Sequence, residues 1–157
     1  FPVSCELGAE LNGAPAHVVK QMHEFGSSLG IAYQIYDDCV DIFGQERQAG
    51  KSLGTDMKKG KLTLPWLLLL QHTPADSRQE IGDLIFRGAP SERARLLSLV
   101  NGNGVLPESL ATVQKYIARA EANLADLPVD IYSRTFGGLL DFISSKARLL
   151  LKEEVAA

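Results

Sequence analysis

The sequence has no long hydrophobic run and no excess of basic residues. Its longest apolar stretch, LPWLLLL, is far shorter than the roughly 20 residues that span a bilayer. The 157 residues carry 16 Lys and Arg against 19 Asp and Glu, a formal net charge of −3. A general nucleic-acid-binding protein normally presents a basic face. We therefore expect neither a transmembrane segment nor a nucleic-acid partner.

Cysteine is also scarce, since Cys5 and Cys39 are the only two. Both lie in apolar stretches of helical periodicity, and no Cys or His spacing matches a zinc site. We interpret them as buried thiols rather than a disulfide, which favours a reducing compartment. The N-terminus lacks the basic region of a signal peptide. Because Phe1 is not Met and falls inside a helical pattern, we expect the true chain to start further upstream.

Strand signals are nearly absent, whereas apolar residues recur at helical spacing along the chain. The sequence predicts an all-α protein that forms a single unit over residues 1–157. The long helix Ala16–Phe43 contains Gly26 and Gly30 one turn apart, which suggests close approach of a neighbouring helix or a ligand. The predicted helices are Phe1–Leu11, Ala16–Phe43, one beginning in LTLPWLLLL with Pro65 in its first turn, Asp76–Phe86, one capped by Ser91 and ending at Val100, Pro107–Leu127, and one from about Asp130 to Leu151.

Three carboxylates end the long helix, in the stretch YQIYDDCVD (Tyr33–Asp41). On a helix Asp37 and Asp41 share a face, Asp38 lies one step round, and Gln34 projects on the same side one turn earlier. Neighbouring like charges repel, and the C-terminal end of a helix disfavours acids. Carboxylates that occur together despite both unfavourable effects are typical of a cation site. Oxygen ligands favour Mg²⁺ over zinc. A solvated acidic helix end is the alternative.

A polar, glycine-rich segment, GQERQAGKSLGTDMKKGK (residues 44–61), follows the carboxylates. It is long for a connection within a compact domain, and long structured loops are often functional. Lysine binds phosphate as a point charge. We therefore predict that residues 44–61 form a basic active-site loop, in which the candidates to meet anionic oxygens are Lys51, Lys58, Lys59 and Lys61.

The order of these elements resembles the trans-isoprenyl diphosphate synthases, or polyprenyl synthetases, over Gly26–Pro65. The motifs on which this resemblance rests are a Gly-x-x-x-Gly segment, an aromatic-Gln pair, Asp-Asp-x-x-Asp, a Gly-Lys loop and Gly-Lys-x-Thr-Leu-Pro. The resemblance implies a helical bundle of the isoprenoid (terpenoid) synthase type, of which this chain is the C-terminal half. It also implies head-to-tail condensation of an allylic diphosphate with isopentenyl diphosphate, dependent on Mg²⁺ or, alternatively, Mn²⁺, to give a longer trans-polyprenyl diphosphate.

The same resemblance assigns roles residue by residue. Asp37 is implied as the direct Mg²⁺ ligand, with Asp38 and Asp41 as ligands or as residues that support the ligands. Tyr33 stands where Phe is commoner in the family. The implied catalytic residues are Gln34, Asp37 and Lys51. The implied substrate-binding residues are Tyr33, Gln34, Lys51 and Lys61.

The family builds its site from two Asp-rich motifs, and only the second is present. The Arg-Arg pair and the Lys-Thr pair of the family's N-terminal half are absent as well. We expect that half to come from an upstream segment or from a partner chain, and we expect the 157 residues alone to be inactive. The resemblance further implies a homodimer in the cytoplasm.

Alternative functions stay open. A class I terpene cyclase or a squalene-type synthase would share the fold, although the Gly-Lys-x-Thr-Leu-Pro element favours chain elongation. A non-catalytic regulatory subunit of a heteromeric prenyl synthase is a further alternative, and the intact DDCVD and Lys51 count against it. A purely structural helical bundle is the least favoured interpretation.

Overall fold

A computed structural model describes residues 1–45, 53–125, 127 and 131–155. Within these ranges the chain forms helices and no strand, so the all-α prediction is confirmed. A 3₁₀ turn, Pro90–Glu92, precedes the sixth helix. The α-helices are α1 (Pro2–Leu11), α2 (Ala16–Phe43), α3 (Thr55–Lys58), α4 (Leu64–His72), α5 (Ala75–Arg87), α6 (Arg93–Gly102), α7 (Val105–Leu124) and α8 (Ile131–Val155).

Several predicted helices are confirmed closely. The long helix runs from Ala16 to Phe43 as predicted, and Pro65 lies in the first turn of α4. Proline suits that position because it has no N–H to leave unpaired. None of the helices in the described ranges is both long enough and apolar enough to cross a bilayer.

Several boundaries differ from prediction, among them the end of the last helix, which lies at Val155 rather than Leu151. Residues Thr55–Lys58 of the predicted loop form a short helix. Ser91 does not cap α6, because it lies inside the 3₁₀ turn and Glu92 takes the capping position. Helix α7 begins at Val105 rather than Pro107, since the fully buried Val105 and Leu106 belong to its first turn, and it ends at Leu124.

The described chain groups into two compact units, and the prediction of a single unit stays a prediction. The first combines Phe1–Gln34 with Thr112–Leu149, and the second combines Ile35–Ala111 with the chain end from Leu150. In the first unit the fully buried Phe25 contacts Phe136 edge to face, with ring centroids 5.1 Å apart. In the second unit the core consists of large apolar side chains, among them Trp66, Leu69, Ile85, Leu96 and Val100.

The glycine pair of α2 receives the beginning of α1, within the first unit. A Cβ on Gly26 would lie 2.8 Å from the carbonyl oxygen of Phe1 and from the Cα of Pro2, and 2.9 Å from the Sγ of Cys5. A Cβ on Gly30 would lie 3.2 Å from the Phe1 ring. The predicted close approach of a neighbouring helix is thereby confirmed, and the lack of room for a side chain explains why glycine occupies these helix positions.

The two thiols differ in environment. Cys39 is fully buried in the second unit, and burial raises the pKa of its thiol to about 12, opposed by a hydrogen bond with Ser109. Cys5 is half-buried. Both cysteines are unpaired, as predicted, whereas the predicted burial is confirmed for Cys39 and wrong for Cys5.

The glycine contacts predict opposite effects of the same substitution at two helical glycines. Gly138 lies exposed in α8, and no atom lies within 4 Å of the position that a Cβ would take, so Gly138→Ala should gain about 1 kcal/mol in helix propensity. Gly26→Ala makes the same gain but forces a backbone clash that costs about 1–3 kcal/mol. Chemical denaturation should therefore place Gly26→Ala about 1–3 kcal/mol below Gly138→Ala in stability. Equal stabilities would contradict the packing of α1 on Gly26.

Candidate functional site

The three carboxylates lie at the C-terminal end of α2, in the second unit, and differ in exposure. Asp41 is 2 % exposed and Asp38 is 8 % exposed, whereas Asp37 is half-buried. Burying a carboxylate is costly unless hydrogen bonds or opposite charges compensate. The environment of each carboxylate therefore indicates what it does.

Asp41 is compensated by the segment that follows α2 in sequence. Its Oδ1 accepts hydrogen bonds from the backbone N–H of Thr55 (3.2 Å) and from the Thr55 hydroxyl (3.1 Å). Its Oδ2 accepts a hydrogen bond from the backbone N–H of Asp56 (3.1 Å). Both oxygens thus bind the first residues of α3, 14 and 15 positions further along the chain.

This contact supplies the cap that α3 lacks. The capping position is held by Gly54, which has no side chain and adopts a left-handed conformation at φ 72°. Helices normally begin with a local Ser, Thr, Asp or Asn whose oxygen accepts the first N–H groups. Here the carboxylate of Asp41 takes that role from a distance, and the backbone N–H of Gly54 also donates to the Asp41 carbonyl oxygen at 3.0 Å. Charge-assisted bonds of this kind are stronger than neutral ones.

Lys61 is tied to the same turn. Its Nζ lies 2.7 Å from the Oδ1 of Asp56, and its backbone N–H donates to the Asp56 carbonyl oxygen at 2.9 Å. The hydrogen bond with Asp56, the charge of Asp56 and the more distant charges of Asp38 and Asp41 raise the pKa of the Lys61 ammonium. The Lys61 side chain is 57 % exposed, so this ammonium is both held close to the carboxylates and accessible to an anion.

The turn also packs against the core of the second unit. Leu53 and Met57 are buried. The carbonyl oxygen of Met57 lies 2.5 Å from the position that a Cβ on Gly88 would take, so only glycine fits there. The guanidinium of Arg93 covers Gly54 on another side, 3.3 Å from the position of a Cβ. The end of the predicted loop is therefore a packed structure rather than a solvated connection.

A small cavity of about 10 Å³ lies behind the turn. That volume suits about one water molecule. Trp66 lines this cavity, and its indole N–H is buried without a hydrogen-bond partner. The lining residues are Asp41, Ile42, Gly54, Met57, Trp66, Arg93 and Leu97.

The remaining site residues predicted from sequence are placed as follows. Lys51 lies outside the described residues. Tyr33 and Gln34 are exposed on α2, at the end of the first unit. Lys58 ends α3 and Lys59 follows it, both exposed. The structure thus brings together Asp41, Thr55, Asp56 and Lys61 in the second unit, near Asp38.

Sequence reasoning missed Thr55, Asp56 and Arg93. A signal for the first two was present, since Gly54-Thr55-Asp56 places residues typical of helix starts directly after a turn residue. Arg93 had no such signal, because its contact with Gly54 depends on tertiary packing.

Carboxylate oxygens are the donors that hard divalent cations take. Among the residues that the structure describes, no group of three or more His, Cys, Asp or Glu side chains is arranged as a ready-made metal site. The donor chemistry of Asp37 and Asp38 suits Mg²⁺, and further ligands would have to come from water, from substrate oxygens or from groups outside the described residues.

Known proteins resemble this chain in sequence and in fold. A polyprenyl synthetase family model matches residues 1–101. The chain belongs to the polyprenyl synthetase family. It is 34 % identical over 131 residues to heptaprenyl diphosphate synthase component 2 of Geobacillus stearothermophilus, covering 81 % of this chain and 39 % of the relative. It is 31 % identical over 148 residues to the geranylfarnesyl diphosphate synthase of Aeropyrum pernix, covering 92 % of this chain and 46 % of the relative.

Solved structures of polyprenyl synthases share the fold. The polyprenyl synthase of Caulobacter crescentus, crystallised with calcium and isoprenyl diphosphate, superposes with a TM-score of 0.83 at 29 % identity. The match covers 92 % of this chain and 45 % of that one. The predicted isoprenoid synthase fold is confirmed, and the chain spans less than half the length of these relatives.

Proposed function

We propose that this chain forms the second metal and diphosphate wall of a prenyltransferase that condenses an allylic diphosphate with isopentenyl diphosphate, head to tail. One observation carries the proposal. In the second unit a carboxylate-rich helix end and an accessible lysine ammonium are fixed beside each other by the Asp41–Asp56–Lys61 contacts, in a chain of the polyprenyl synthetase family.

The reaction makes clear demands on such a wall. The carbon–oxygen bond of the allylic diphosphate breaks, and its electron pair leaves with the diphosphate. The double bond of isopentenyl diphosphate then forms the new carbon–carbon bond, and loss of a proton restores a double bond. Bound Mg²⁺ would neutralise the charge that develops on the leaving diphosphate. The remaining demands fall on protein side chains.

Lys61 meets one of these demands directly. Its ammonium is positioned by Asp56 and remains exposed, so it can pair with diphosphate oxygens without a large rearrangement. Groups that are positioned before charge develops stabilise a transition state more than groups that must reorganise. We assign Lys51 to the same diphosphate, and Tyr33 and Gln34 to the substrate near its reacting carbons, on the family motif alone.

Asp37 is the carboxylate best suited to a direct metal contact. It is more exposed than Asp38 and Asp41, and a metal ion needs access for substrate oxygens and water. The Caulobacter crescentus relative was crystallised with calcium and isoprenyl diphosphate, which supports a divalent cation at a diphosphate in this fold. We propose Mg²⁺, with Mn²⁺ as the alternative, held by Asp37 with Asp38 in support.

The N-terminal half of the family's domain is the partner that this chain needs. Helix α1 has no buried residue, and Val3, Leu7 and Leu11 are 59 %, 47 % and 84 % exposed along one face. An isolated helix of ten residues is marginal in water. A mainly apolar cavity of about 680 Å³ adjoins it within the first unit; its wall includes Cys5, Ala9, Val18, Met22 and Phe136. We propose that helices of the absent half cover this surface.

Two arrangements would supply that half. A longer chain would provide it in cis, as in relatives of about twice this length. A separate subunit would provide it in trans, and the relative named heptaprenyl diphosphate synthase component 2 shows by its name that multicomponent enzymes occur in the family. Activity of the 157 residues alone is not expected in either case. The homodimer and the cytoplasmic location stay predictions.

Removing one charge at the metal-facing position tests the function. In a preparation that contains both halves, Asp37→Asn should lower kcat/KM by roughly 10²-fold or more, because a preorganised charge at the reacting diphosphate is lost. Steady-state assays with farnesyl diphosphate and isopentenyl diphosphate measure this at saturating Mg²⁺. Asp83→Asn, the same change on an exposed position of α5, is the matched control and should keep full activity. Equal activity of the two variants would reject the assignment.

Hydrogen exchange tests the surface assigned to the missing half. The amides of α1 should exchange at least roughly tenfold more slowly in the two-half preparation than in the 157-residue chain, because packing against α1 buries its apolar side chains. The amides of α4 are the internal control, since Trp66, Leu68 and Leu69 are already buried. An unchanged exchange rate in α1 would show that the absent half lies elsewhere.

A further inference from the structure

We infer that Asp41 is a positioning residue and not a direct metal ligand: its carboxylate holds the turn that presents Lys61 to the diphosphate. This inference rests on the proposed function, since it assigns metal binding and positioning of Lys61 to different carboxylates of one Asp-rich motif. The sequence motif left two roles open for Asp41, a metal ligand or a residue that supports the ligands, and the inference selects the second.

The hydrogen bonds of Asp41 leave little capacity for a cation. An ionised carboxylate offers about four lone-pair positions. Three donors already occupy the two oxygens of Asp41, and the side chain is 2 % exposed. A cation bound to Asp41 would have to displace the N–H groups of Thr55 or Asp56. A buried donor that loses its acceptor is costly, so the structure favours the capping contact over metal coordination.

The contact reaches Lys61 through Asp56. Asp41 fixes the backbone of Asp56 through its N–H, and Asp56 fixes Lys61 through its carboxylate and through its carbonyl oxygen. The turn closes between these points, with the N–H of Gly60 donating to the Met57 carbonyl oxygen at 3.0 Å. Moving Asp41 therefore moves the ammonium of Lys61, although the two side chains are 20 positions apart in sequence.

Asp37 and Asp41 thus have different roles although they lie one helical turn apart. Asp37 is the more exposed carboxylate and is assigned to the metal, whereas Asp41 is buried and turned to the segment after α2. The Asp-rich motif therefore contains both a proposed cation ligand, Asp37, and a helix cap, Asp41. Their spacing of four residues places them on the same side of the helix.

Asp41→Asn is the direct test, because an amide keeps the size of the side chain but offers only one acceptor oxygen. In a preparation containing both halves, the amides from Gly54 to Lys61 should exchange hydrogen about tenfold faster or more, since a charge-assisted cap is lost. The KM for farnesyl diphosphate should rise about tenfold through displaced Lys61. The Mg²⁺ concentration that gives half-maximal activity should not change.

Variants at Thr55 keep the test informative if Asp41→Asn folds poorly. Thr55→Ala removes the hydroxyl donor and keeps the backbone donor, so it should change exchange and KM in the same direction but less. Thr55→Ser retains the hydroxyl, so its exchange rates and its KM for farnesyl diphosphate should equal those of the unsubstituted protein. Adding Thr55→Ala to Asp41→Ala should have little further effect, because Asp41→Ala already removes the oxygen that accepts from the Thr55 hydroxyl.

The outcomes separate this inference from the proposed function. A rise of about tenfold or more in the Mg²⁺ requirement of Asp41→Asn, with unchanged exchange in the turn, would overturn the inference and make Asp41 a metal ligand. Faster exchange in the turn together with full activity of both Asp37→Asn and Asp41→Asn would support the cap and reject the proposed function. Faster exchange, raised KM and unchanged Mg²⁺ requirement would support both.

Discussion

The candidate site depends on one buried carboxylate that accepts hydrogen bonds from a distant turn. Without Asp41, the N–H groups of Thr55 and Asp56 would lack their acceptor, and Gly54 has no side chain to replace it. The contact converts part of a glycine-rich segment into a short capped helix. It joins that segment to the end of the long helix in the second unit, where Asp37 and Asp38 lie.

Much of this arrangement follows from local sequence signals, and the rest does not. Apolar periodicity predicted the long helix Ala16–Phe43, and the glycine pair indicated the close packing that Phe1 and Pro2 provide. The carboxylate triplet and the basic segment predicted the candidate site, because such charge is costly unless it is compensated. The cap between Asp41 and the Thr55 turn could not be predicted, since it joins residues 14 positions apart across a turn of unusual conformation.

The two units differ in how much of their apolar surface is exposed. The core of the second unit is well covered, with Trp66, Ile85 and Leu96 buried. In the first unit α1 contributes no buried side chain and borders a large apolar cavity. A chain that matches less than half the length of its relatives is expected to present such a surface, and the proposed function requires that it be covered.

Paramagnetic broadening in nuclear magnetic resonance spectra would test the central claim most directly. Mn²⁺ with inorganic diphosphate, added to isotope-labelled protein that contains both halves, should broaden the amide signals of Tyr36–Asp41 and Gly54–Lys61 first. Signals around Asp76 and Asp83, carboxylates on the exposed side of α5, should persist at the same concentrations. Equal broadening around all of these carboxylates would contradict a metal and diphosphate wall at the end of the long helix.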